Sequence, residues 1–182
     1  MITMAIGIPH RIKAAASGER ISHKEEGYLF AVTLRLYGLL LWISTLAYLL
    51  YPSSVAWASI PIPSWLRWFG VIVAISSTAL LYWTLSSLGK NLTDTVVTRK
   101  DAVLVTHGPY RWVRHPFYVC AALLMASVTI LAANWLIGLG SLLVLTLLAI
   151  RTPKEEQMLI QRFGDDYRRY IETTGKFIPR FW

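Results

Sequence analysis

The chain has 182 residues, 55% of them hydrophobic and 15% charged, with a mean hydropathy of +0.48, which is too apolar for an ordinary soluble domain and excludes disorder and collagen-like order. The 18 Lys and Arg against 10 Asp and Glu leave a formal charge of +8, for which nucleic acid, an anionic membrane surface and insertion topology are the competing causes. The length allows one domain at most, and 8 Trp, 9 Tyr and 6 Phe suit a chain with two membrane interfaces.

These features predict an all-α integral membrane protein, a single domain over residues 1–182. Met1 to Gly18 lacks a basic region followed by a long apolar core, so no cleaved signal is expected despite Ala14-Ala15-Ala16. Leu29 to Leu50, broken only by Arg35, is long enough at about 1.5 Å per residue to cross about 30 Å of hydrocarbon and forms the first span. Pro52, Pro61 and Pro63 mark a short outer loop. Trp65 to Leu88 is the second span, with Arg67, Trp65 and Trp68 at its entry, where long cations snorkel and indoles prefer headgroups. Phe117 to Ala133 and Trp135 to Ile150 are each marginal alone; separated by Asn134, they read as a tight helical hairpin, the third and fourth spans. From Pro153 to Thr174, the spacing of Leu159, Phe163, Tyr167 and Tyr170 predicts an amphipathic helix lying on the membrane.

Four spans place the N-terminus, the loop from Gly89 to Pro116 and the C-terminal tail on one side. All 18 Lys and Arg except Arg35 and Arg67 fall there, and the positive-inside rule makes that side cytoplasmic. Topology therefore explains the basic excess, and no nucleic-acid partner is expected. The single cysteine, Cys120, lies in an apolar run and implies no oxidising compartment. His10, His23, His107 and His115 lack the paired spacing of a zinc site, so no metal is expected. Asn91-Leu92-Thr93 matches a glycosylation acceptor but falls on the cytoplasmic side. Gly138 and Gly140, inside an apolar helix with no preceding strand, point to close helix packing and not to a nucleotide loop.

Chemistry must then sit in the cytoplasmic segments. The densest stretch runs from Leu104 to Tyr118 (LVTHGPYRWVRHPFY), mixing donors, cations and aromatics at the entrance of the third span. Pro116 suits a first helical turn, which places His115 beside free backbone N–H groups able to hold a carboxylate. The same composition also fits a plain interfacial loop with an aromatic belt. The second stretch is Arg151-Thr152-Pro153-Lys154-Glu155-Glu156 at the exit of the fourth span. On a continuous helix Arg151 and Glu155 share a face. Alternatively, Thr152, Pro153 and Glu155 form an N-cap, a first-turn proline and a capping-box glutamate, and Arg151 is a positive-inside stop signal.

Together, GPYR-x-VRHP-x-Y, then Glu155-Glu156, Phe163-Gly164, Tyr167 and Tyr170 resemble the isoprenylcysteine carboxyl methyltransferase family, within a wider group that includes membrane phospholipid methyltransferases. The resemblance covers about residues 91–182; the first two spans match only as apolar helices. It implies an enzyme using S-adenosylmethionine, held between membrane helices and the C-terminal segment. By that resemblance Leu104 and Val105 offer backbone contacts to the cofactor, Tyr110, His115, Pro116 and Tyr118 line its pocket with Phe117 contributing main chain, Glu155 holds the cofactor, and Arg151 binds the substrate. Ala102 where the family often has His, Cys120 where it has Gly, and Pro153 between Arg151 and Glu155 depart from the pattern.

The expected acceptor is a lipid-like or prenylated acid reaching the site from the membrane. A carboxylate is already ionised at neutral pH and needs a guanidinium to orient it, not a base. The competing readings are N-methylation of a phospholipid amine, in which Glu155 or Glu156 accepts a proton, an NADPH-dependent enzyme like the sterol reductases, and a structural membrane protein.

Overall fold

Inside hydrocarbon a backbone has only itself to bond with, so long apolar runs become helices. The computed structural model of the protein describes residues 28–88 and 103–180. It contains α1 (Tyr28–Leu50), α2 (Ser64–Leu88), α3 (Pro116–Ala132), α4 (Trp135–Phe163) and α5 (Asp165–Thr173), with short 3-10 turns at Pro52–Ala58 and Gly108–Arg111. No strand occurs among the described residues; there are two isolated bridges, Ser59 with Asn134 and Val113 with Gly175. The readings placed on Met1 to Gly18, Arg11, Lys13, Arg20, Lys24, His10, His23, Lys90, Asn91-Leu92-Thr93, Arg99, Lys100 and Ala102 lie outside the described residues.

Among the described residues, three helices are long and apolar enough to cross a membrane, at Phe30–Leu50, Ser64–Leu88 and Trp135–Phe163, while α3 is a shorter apolar helix. The expectation of four spans is met in length by three of them. The end of the chain differs from expectation more sharply. The helix starting at Trp135 does not stop at Ile150 but runs unbroken to Phe163 with Pro153 inside it. The amphipathic piece is only α5, set off by Gly164 at φ +57°. The capping box at Thr152 is therefore absent: Thr152 is fully buried and its hydroxyl donates to the Leu148 carbonyl four residues back, the bond of a helix interior. Glu155 is thus free of a capping duty.

The helices pack as a row, α2 against α3, α3 against α4 and α4 against α1. Small residues set the spacing. Gly70, Ser77 and Thr84 recur every seven residues on the buried face of α2, opposite Cys120 and Ser127 on α3. A Cβ at Gly70 would press on Ile130 at 3.1 Å, so the absence of a side chain lets the backbones approach. The hydroxyls of Ser77 and Ser127 bond back to Val73 and Leu124 in their own helices, at 2.6 and 2.7 Å. Thr84 meets the Cys120 thiol at 3.7 Å. Gly138 and Gly140 serve close packing as expected, Gly138 against Thr129 and Gly140 against Leu41.

Asn134 organises the opposite end. Fully buried, it accepts at Oδ1 from the N–H groups of Leu136 and Ile137, capping α4, and donates from Nδ2 to the Val55 carbonyl at 3.0 Å. Ile60 N–H donates to the Ala133 carbonyl at 2.7 Å, and Trp57 meets Trp135 edge-on at 5.3 Å. The loop between α1 and α2 is thereby stitched to the α3–α4 turn. Asn134→Ala removes the cap and strands the Val55 carbonyl, and is expected to destabilise the fold by about 2–3 kcal/mol. Thermal unfolding in detergent checks this; an unchanged midpoint would mean the loop is held by other contacts.

Candidate functional site

The site forms where the start of α3 meets the far end of α4. Gly108 makes the approach possible: its φ is +61°, and a Cβ there would lie 2.3 Å from the Ser87 hydroxyl, so both backbone and space require glycine. The turn it opens packs on the end of α2 through Trp112, whose ring meets Trp83 at 5.5 Å and carries the Arg111 guanidinium 4.1 Å above it. Pro116 then starts α3, buried, in the first-turn position where a missing N–H costs nothing.

His115 precedes it, 5% exposed. Its ring stacks on Tyr118 at 5.5 Å with 8° between planes, and Phe177 leans on both rings at 5.8 and 6.4 Å. The Tyr118 hydroxyl donates to Glu155 Oε2 at 2.6 Å. The neighbouring carboxylate, Glu156, receives Arg114 Nε at 2.9 Å and lies 3.2 Å from His115 Nε2 and 3.5 Å from Lys176 Nζ. Two adjacent glutamates on α4 thus take hold of the first turn of α3. Both stretches singled out in the sequence come together.

The C-terminal segment straps this arrangement down. Arg114 Nη1 donates to the carbonyls of Ile171 and Thr174, Arg114 N–H donates to the Gly175 carbonyl at 2.8 Å, and His115 N–H donates to the Lys176 carbonyl at 3.2 Å. The His115 carbonyl takes the N–H groups of Tyr118 and Val119. The amides of Arg114 and His115 are therefore committed to the strap, and those of Tyr118 and Val119 to the His115 carbonyl. Gly175 is obligatory, since a Cβ there would fall 1.7 Å from the Ile178 carbonyl oxygen.

The other expected residues are distributed around this centre. The Tyr110 carbonyl accepts the Tyr170 hydroxyl, and Glu155 acts electrostatically on the Tyr110 phenol. Burial, the largest influence, pushes the phenols of Tyr110, Tyr167 and Tyr170 up from the usual tyrosine value, so all three are neutral O–H groups at physiological pH. Leu104 borders an open cleft with Val103, Thr106, Phe163 and Asp166, at the junction of α4 and α5, and Val105 is half-buried. Phe117 points its ring outward, exposed. Arg151 is half-buried one helical turn before Glu155 on α4, sharing its face as a continuous helix requires. Lys176 and Phe177 had no assigned place in the site, and Arg114 and Glu156, present in the two stretches, had no assigned partner; the contacts that bring them in span about twenty to sixty residues.

Comparison with known proteins adds a consistent picture. A family model described as isoprenylcysteine carboxyl methyltransferase (ICMT) family matches residues 70–161. A protein-S-isoprenylcysteine O-methyltransferase of Tribolium castaneum is 35% identical over 118 residues, covering 63% of this chain and 42% of the relative. One from Homo sapiens is 28% identical over 129 residues, covering 69% and 45%. The solved structure of a eukaryotic intramembrane Ras methyltransferase aligns with a TM-score of 0.58 and 28% identity, over 87% of this chain and 54% of that one. The chain spans about half the length of the curated relatives it matches.

Proposed function

The chain belongs to the isoprenylcysteine carboxyl methyltransferase family, and from that premise we propose that it is an S-adenosylmethionine-dependent carboxyl methyltransferase of the membrane, acting on an isoprenylcysteine-type or other apolar acid. The observation that carries this reading is the Tyr118–Glu155 hydrogen bond at 2.6 Å beside the stacked His115. It joins the start of α3 to the far end of α4 in one polar, aromatic cluster. In the same reading the domain occupies residues 1–182, with its binding half over 91–182. α3 and α4 cross as a hairpin to make four spans, and both ends of the chain face the cytoplasm, where the basic residues lie.

The donor set fits the cofactor. Glu155 is an anion for its ammonium group, and His115, Tyr118 and Phe177 give aromatic surface for the adenine or the sulfonium. When bound, S-adenosylmethionine supplies an electrophilic methyl group on a positively charged sulfur. The residues of the chain then position and exclude water. Tyr110, Pro116 and Tyr118 line the pocket, Leu104, Val105 and Phe117 contribute main chain to it, and the Thr174–Phe177 strap closes one wall. Arg151 orients the acceptor carboxylate at the membrane boundary, where the apolar tail of the acid stays in lipid. No base is required, because the acid is already ionised.

The test is transfer of a labelled methyl group from S-adenosylmethionine to a panel of lipidic acids and amines by the purified chain in lipid. Labelling of S-prenylated cysteine acids, with a rate flat above about pH 6, is the expected result. Labelling of amines alone, rising through the amine titration, would transfer the chemistry to nitrogen, and binding of NADPH without S-adenosylmethionine would overturn the proposal.

A further inference from the structure

Tyr167 carries a buried, unmatched hydroxyl beside the site. It is 1% exposed, and its hydroxyl has no hydrogen-bond partner. Its neighbour Tyr170, whose ring lies 5.8 Å away, does satisfy its hydroxyl, on the Tyr110 carbonyl. A buried hydroxyl without a partner is a cost that folded proteins rarely retain. Phenylalanine would fill the same space without it.

The surroundings indicate what a partner would be. Glu156, Arg114 and Glu155 are all close enough to act electrostatically on the phenol. Glu156 and Arg114 are engaged with each other at 2.9 Å, and the hydrogen bond that Glu155 receives from Tyr118 comes from a neutral group. Glu156 is also met by His115 and Lys176, so Glu155 is the carboxylate left to meet an ammonium, and the Tyr167 hydroxyl, as donor and acceptor, can serve both groups of an amino acid.

We propose that the Tyr167 hydroxyl is a binding group for the amino-acid end of S-adenosylmethionine, acting beside Glu155. This rests on the methyltransferase reading above. The unmatched hydroxyl in the free protein is matched on binding, and this difference appears as affinity.

The experiment compares the full-length wild type with Tyr167→Phe by calorimetric titration and by thermal unfolding without ligand. Three ligands are used: S-adenosylmethionine, S-adenosylhomocysteine and 5′-methylthioadenosine, which lacks the amino-acid end. Tyr167→Phe is expected to weaken binding of the first two by about tenfold, as for one buried hydrogen bond, to leave the third unchanged, and to keep or raise the unfolding temperature. Equal affinities for all three ligands in both proteins would overturn the proposal, and so would equal weakening for 5′-methylthioadenosine. A lowered unfolding temperature would show the hydroxyl to be structural and overturn it as well. A wild type that binds none of the three sinks the methyltransferase reading itself, a result distinct from the others.

Discussion

Arg151→Ala is expected to leave the affinity for S-adenosylmethionine within a few-fold of wild type while lowering the methyl-transfer rate by about 10²–10³-fold. Arg151 lies one turn before Glu155 on α4, at the place where the helix leaves the apolar run ending at Ile150. In the proposed reaction a lipid-tethered acid would meet the site at that height, and a planar guanidinium holds a carboxylate by two parallel bonds in one orientation. Arg151→Lys keeps the charge and loses the fork, so an intermediate loss is expected. Rates in lipid vesicles together with cofactor titration check both parts. An Arg151→Ala chain with full turnover, or one that loses the cofactor along with activity, would remove Arg151 from the substrate role.

The second large effect is structural. Glu156→Ala should destabilise the protein by about 3–5 kcal/mol, because it leaves a charge without its partner in a half-closed site. Arg114 and Glu156 have side chains only 9% and 15% exposed, and the same carboxylate meets His115 and Lys176. Arg114 in turn carries the strap through the Ile171 and Thr174 carbonyls. Loss of Glu156 therefore loosens the Thr174–Phe177 segment and with it the Phe177 wall beside His115 and Tyr118. Trypsin cleavage after Lys176 should accelerate along with a fall in the unfolding temperature. Glu156→Gln retains an acceptor for Arg114 Nε and should fall between the two. Unchanged cleavage and stability in Glu156→Ala would mean that the strap is held by its backbone bonds alone.

Much of this arrangement was legible from local pattern. Hydropathy located both ends of α1, α2 and α3 and the start of α4 to within a residue or two, though not the far end of α4; Asn134 marked the turn between α3 and α4, Pro116 marked the start of α3, and Gly138 and Gly140 marked tight packing. Each of these signals acts over a few residues, through helix dihedrals, a missing N–H or a missing side chain. Thr152-Pro153-Lys154-Glu155 misled for the same reason. The string suits a helix start and also tolerates a helix interior, and the choice was made by burial of Thr152 and by continuation of α4 across the entrance of α3. The seven-residue recurrence of Gly70, Ser77 and Thr84 was equally present in the sequence, but small polar residues in an apolar run announce packing only once a neighbour is known.

The amino-acid order alone determined the membrane class, the helices and the two polar stretches, because hydrophobic length and proline or asparagine placement act on the chain without knowledge of its neighbours. Tertiary structure decided which glutamate meets which partner. Glu155 takes Tyr118, Glu156 takes Arg114 and His115, and the strap's carbonyls take the amides of Arg114 and His115 just ahead of the helix entrance. Those pairings join residues about forty to sixty positions apart, and adjacent carboxylates of identical chemistry are told apart only by the direction in which a packed helix turns them.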